Sequence, residues 1–204
     1  MSASVNALAA GLLFGLSLIV VIGAQNTYVL RQGLRREHVP TVVAICAASD
    51  AVLIAAGVGG AGLALDGRPM LLLAVRVAGA LFLFGYGALA ARRVLRASGL
   101  RADAAGAAAS LPAVVATCLA FTWLNPAVYL DTVVLLGSVA NSHPGVQWWF
   151  GGGAALGSLG WFLGLGYGAR LLGPLFRRAA AGRVLDGSVA VVMVATGLRV
   201  LLVR

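Results

Sequence analysis

The chain has 204 residues, 61% of them hydrophobic and 10% charged, with a net charge of +9 and a mean hydropathy of +0.98. Soluble domains carry about 45–50% apolar and about 25% charged residues, so an ordinary water-soluble enzyme is excluded. Every basic residue is arginine, and most stand between apolar runs. That placement speaks for membrane topology rather than a nucleic-acid surface.

Apolar runs long enough to cross about 30 Å of hydrocarbon as helices recur along the chain. The first is predicted over about Val5 to Leu30; no Lys or Arg precedes Arg31, so the segment is expected to be a retained helix rather than a cleaved leader. The second covers about Val39 to Leu63 and contains Asp50; the third covers about Met70 to Ala91 and contains Arg76. A small-residue stretch at 97–110 reads as a linker between halves. The fourth run, about Leu111 to Val139, holds Asn125, Pro126 and Asp131. The fifth, about Trp148 to Leu172, carries Gly153, Gly157, Gly160, Gly164 and Gly168 at close-packing spacing. The sixth covers about Val184 to Val203 and is shortened by Arg199. The runs lack the two-residue alternation of barrel strands, so helices are expected.

The expected fold is therefore an all-α polytopic membrane protein with six transmembrane helices and no extramembrane domain. Three spans per half make two inverted repeats, about 1–96 and 111–204, an architecture of transporters. Eleven arginines, Arg31 among them, fall in the loops after spans one, three and five, against two or three on the other side. Arginine-rich loops stay cytoplasmic, which predicts both termini outside and Trp148, Trp149 and Phe150 in an outer aromatic belt.

Asp50, Arg76 and Asp131 lie inside apolar runs, where an unpaired charge costs roughly 2.5–3.5 kcal/mol. Helical rise places Arg76 and Asp131 at matching depth and Asp50 near the midplane. A pair between Arg76 and Asp131 is expected. Two carboxylates then share one guanidinium, and the excess carboxylate suits a cationic ligand, a proton, or both in turn. The bland alternative is a buried ion pair that only sets helix register.

Polar breaks flank these charges. Gly23, Ala24, Gln25 and Asn26 end the apolar part of the first run, and Asn125-Pro126 interrupts the fourth. Proline removes one helical hydrogen bond there, and freed carbonyls can coordinate an ammonium or guanidinium group. Tyr129 and Trp123 flank that break, as a cation–π wall or as ordinary packing. Asp186 reads as a helix N-cap, and Arg199 as a side chain snorkelling to the outer interface. Neither Cys46 nor Cys118 sits in a disulfide or metal-ligand pattern, and no cofactor, metal or ATP-binding motif is expected.

The segment IGAQNTYVLRQGLRREHV at 22–39 closely resembles the opening motif of the LysE family of amino-acid exporters. Ser49-Asp50 and FTWLNP with Tyr129-Leu130-Asp131 resemble the same family, over essentially the whole chain. The likeness is to the basic-amino-acid branch, since the Pro-Gly-Pro-Asn pattern of the neutral branch is absent. It implies a six-helix exporter of L-arginine or L-lysine in the bacterial inner membrane, driven by the proton-motive force. Substrate and proton would meet Asp50, Asp131, Arg76, Asn26, Gln25, Asn125 and Tyr129, at the helix break made by Pro126. The alternatives are an exporter of neutral amino acids or another small cation, a membrane redox carrier, and a non-transporting subunit. The expected partners are a small basic amino acid, protons and the lipid bilayer, without nucleic acid; a homo-oligomer is admissible.

Overall fold

The computed structural model describes residues 2–20, 23–61, 69–95, 110–172 and 179–202; the side chains of Arg76 and Pro126 lie outside the description. Every long element among these residues is a helix: α1 (Ser2–Ile19), α2 (Ala24–Arg35), α3 (Val39–Val58), α4 (Pro69–Leu95) and α5 (Leu111–Trp123) come first. After α5 the chain runs through Pro126–Val128, Tyr129–Leu136 and Gly137–Asn141 as one helical rod, α6, whose central stretch has widened π-type turns. The last two helices are α7 (Gln147–Gly168) and α8 (Ala179–Leu202). α1 and α3 have the length and apolar composition to cross a bilayer.

Two predicted spans are broken. The first is expected as one helix but divides into α1 and α2, with Gly23 extended between them. The break is closed by side chains: Asn26 Nδ2 donates to the Ile19 carbonyl at 2.6 Å and Thr27 Oγ1 to the Gly23 carbonyl at 2.8 Å. These bonds supply partners that the interrupted helix cannot. The fourth span divides at Asn125, whose Oδ1 accepts from the Ala127 amide at 3.2 Å. Tyr129 donates its hydroxyl to the Trp123 carbonyl at 2.8 Å and so clamps the two sides of that break. The sixth span runs to 24 residues in α8, longer than its apolar core suggested. The linker at 97–109 lies outside the described residues.

α1 lies along α7, α4 lies along α8, and α3 packs on α5, α6 and α7. Glycine permits the closest approach. A Cβ on Gly11 or Gly15 would fall within 3 Å of the α7 backbone at Phe150 or Ala154, and one on Gly153 within 3 Å of Leu8 and Leu12. The predicted glycine seam of α7 is thus shorter than expected. Gly153 and Gly157 face α1, but Gly160, Gly164 and Gly168 meet nothing within 4 Å.

The solvent-facing side is apolar. Leu13, Val52, Leu81, Leu156 and Val191, on five different helices, are each more than half exposed. Buried positions instead include Asn26, Thr27, Arg31, Gln32, Ser49, Asp50, Ser158 and Asp186. Exposed apolar patches of this extent mark a membrane or partner surface. Trp148 and Trp149 are also more than half exposed at the start of α7, as an interfacial belt requires, but Phe150, expected beside them, is buried in the core at 2% exposure.

Candidate functional site

The two breaks meet around one cavity of about 370 Å³. Its wall takes Gly23, Gln25 and Asn26 from the first break and Asn125 and Ala127 from the second. Asp50 enters from α3, Asp131 and Thr132 from α6, Ser158 from α7, and Thr196 and Arg199 from α8. Five of the residues expected from the sequence therefore share one cavity, although they come from four separate stretches of chain.

Asp50 sits just past the middle of α3 and is 6% exposed. Its Oδ2 accepts a hydrogen bond from Ser158 Oγ at 2.7 Å. Bonds from neutral donors orient a carboxylate without neutralising it, so Asp50 still requires a cation or proton when charged. Asn26 is held at both ends, donating to Ile19 and accepting from Trp161 Nε1 at 3.2 Å. The Nε2 of Gln25 is buried at the cavity wall, with the Cys46 thiol beside the Gln25 side chain.

Asp131 lies in the π-type stretch of α6. Widened turns insert one extra residue into a helix and recur at functional sites. Here they turn Asp131 and Thr132 to the cavity together. The cation that faces Asp131 across the cavity is Arg199 of α8, close enough to act on its carboxylate electrostatically. Arg199, expected to snorkel outward, is exposed and also lines the cavity wall. The side chain of Arg76 lies outside the described residues, so the expected Arg76–Asp131 pair is neither seen nor displaced.

Tyr129 stands at the second break, with its hydroxyl on Trp123 rather than on the cavity wall. Trp123 points its indole N–H at Ser49 Oγ, 3.2 Å away, and so ties the break to α3. Two further expectations change. Asp186 is buried within α8 and is not a helix cap; it forms an ion pair with Arg31 at 3.4 Å, and the side chains are 1% and 4% exposed. Arg31 accordingly belongs to α2 and not to a loop. Ser158 and Arg199 were missed by sequence reasoning. The one available signal was that Ser158 is the only Ser or Thr between Trp148 and Leu172.

An all-helical bundle with an apolar exterior, two broken helices and a charged internal cavity defines a polytopic membrane protein built to hold a polar solute. The profile of the LysE type translocator family matches residues 16–204, and the chain belongs to that family of membrane transporters. Its relatives include "Putative amino-acid transporter Rv0488" of Mycobacterium tuberculosis and "Putative amino-acid transporter Mb0498" of Mycobacterium bovis. Each is 50% identical over 186 residues, covering 91% of this chain and 92% of the relative. No solved structure matches the chain.

Proposed function

We propose that the protein exports basic L-amino acids, arginine or lysine, in exchange for protons across the bacterial inner membrane. The observation that carries this reading is the charge balance of the cavity. Among the described residues, two carboxylates, Asp50 and Asp131, face one guanidinium, Arg199. A basic amino acid offers two cationic groups and one carboxylate, the complementary set. The cavity volume of about 370 Å³ lies within the range of about 300–1,000 Å³ usual for small-molecule sites. The relatives named as amino-acid transporters support the substrate class.

Outward movement of a cation opposes a negative-inside potential by about 2.3 kcal/mol per charge per 100 mV. Coupling to inward proton movement supplies that work. Asp50 is the group suited to hold substrate and proton in turn, since it is buried, oriented by Ser158 and without a guanidinium within 4 Å among the described residues.

We further infer six spans in two inverted repeats. Each broken helix pair packs on the middle helix of the other half, and α4 and α8, the third helices, pack on each other. This exchange of equivalent contacts supports the repeat.

Counterflow in proteoliposomes with labelled arginine, lysine, canavanine and leucine tests the proposal. Arginine or lysine uptake that collapses the imposed proton gradient is the expected result. Leucine uptake alone would assign neutral substrates, and no uptake of any would leave a non-transporting membrane protein.

A further inference from the structure

The packing repeats itself when the two halves of the chain are exchanged, and the glycines set the register. A Cβ on Gly87 of α4 would touch Val194 of α8, and one on Gly197 of α8 would touch Phe84 of α4. Gly87 with Gly197 and Phe84 with Val194 both stand 110 residues apart. The same spacing sets buried Gly79 against buried Val189, and buried Leu83 against buried Met193. In the other helices, Gly33 of α2 meets the Gly166 backbone of α7, while Gly57 of α3 meets the Val133 backbone of α6. Exchange of halves turns one contact into the other, with α2 and α6 spaced by 100 residues and α3 and α7 by 109. The second spacing also pairs buried Ser49 with buried Ser158, and buried Leu53 with buried Phe162.

These registers make Arg31 the counterpart of Asp131, and Arg76 the counterpart of Asp186. The ion pair between α2 and α8 thus maps onto a pair between α6 and α4 in which the charges are reversed. Both helix pairs are in contact: α8 packs on α2, and α4 packs on the first turn of α6.

We propose that Arg31–Asp186 and Asp131–Arg76 are two latches of opposite polarity, one at each end of the cavity, that close alternately. In this structure the first is shut: both side chains are at most 4% exposed, and neither residue lines the cavity. At the second end Asp131, unlike its counterpart Asp186, stands on the cavity wall, and we take that end as the open one. A latch of the same chemistry at each end keeps the two states close in free energy, as a ligand-driven exchange between them requires. When Asp131 leaves its latch it gains the cavity and a bound cation, so opening that end and loading the site become one event. This inference rests on the reading of the protein as an alternating carrier, but not on which solute it carries.

The test reads conformation without substrate. In full-length protein carrying Cys46→Ala and Cys118→Ala, a reporter at Thr196→Cys samples the open cavity and one at Val29→Cys samples the closed end. Arg31→Gln should raise maleimide labelling at Val29→Cys and lower it at Thr196→Cys, the ratio of the two shifting by about tenfold if the latch biases the equilibrium by about 1.4 kcal/mol. Arg76→Gln should do the reverse. The exchanged doubles, Arg31→Asp with Asp186→Arg and Arg76→Asp with Asp131→Arg, should restore the original labelling. Identical labelling in Arg31→Gln and Arg76→Gln, or exchanged doubles no nearer the parent than their single variants, would overturn the proposal. If Arg31→Gln fails to insert, Arg76→Gln and the exchanged doubles still decide it. A labelling shift in protein that moves neither arginine nor lysine would retain the latches and refute the substrate instead.

Discussion

The contact between α1 and α7 can be probed by adding single methyl groups. Gly153→Ala places a Cβ within 3 Å of backbone atoms at Leu8 and Leu12, where no flexible side chain can yield. Helix α1 must therefore move away along its whole contact, and overpacking of this kind costs about 1–3 kcal/mol. Gly160→Ala and Gly164→Ala stand on the same helix but meet nothing within 4 Å. They retain only the gain of about 0.8–1.0 kcal/mol that alanine has over glycine in a helix. Because that gain is common to all three variants, Gly153→Ala should melt below the controls by about 1–3 kcal/mol. For a chain of 150–250 residues this is roughly 2–12 °C at about 2–4 °C per kcal/mol. Thermal unfolding of the purified protein in one detergent, followed by tryptophan fluorescence, measures the difference. A Gly153→Ala variant as stable as Gly160→Ala would refute the backbone-to-backbone packing of α1 on α7.

Asp50→Asn keeps the size of the side chain and its bond to Ser158 but removes the charge; export measured in proteoliposomes should collapse while membrane yield is retained, and parental rates would remove Asp50 from the site. Ser158→Ala should weaken substrate binding by about 10- to 100-fold, the equivalent of a hydrogen bond to a charged group worth about 1.5–3 kcal/mol, as read from the concentration dependence of counterflow. Tyr129→Phe deletes the clamp across the second break and should lower stability by about 1 kcal/mol, with substrate affinity nearly unchanged because the hydroxyl faces Trp123; a large loss of affinity at equal stability would return Tyr129 to the cavity. Single cysteines at Ser2, Ser98, Ser142 and the C-terminus, in the background lacking Cys46 and Cys118, should react with an impermeant maleimide in intact cells at all positions except Ser98. Labelling at Ser98 would invert the topology, and protection of the C-terminal cysteine alone would reduce the spans to five.

Much of this molecule follows from one-dimensional features of the chain. Run length and the scarcity of charge specify apolar helices, because nothing else satisfies backbone groups in hydrocarbon. The polar interruptions at Gly23–Asn26 and Asn125-Pro126 mark breaks, since proline and small polar residues weaken a helix wherever it lies. Burial was legible too: Asp50, inside an apolar run, stands buried at the cavity. Azimuth and partnership were not. Rise per residue says how far along a helix a charge lies, but not which neighbour it faces. Arg31 and Asp186 stand 155 positions apart in the chain, and they meet only because α8 folds back onto α2. Arg199 reaches the cavity, and Tyr129 the break, through helix rotations set by packing, as do the faces of the α7 glycines. Ser158 becomes a site residue only once α7 lies against α3. The sequence determined which elements form and where they must break; the contacts between helices decided which charges meet, because pairing depends on rotations that no single helix specifies.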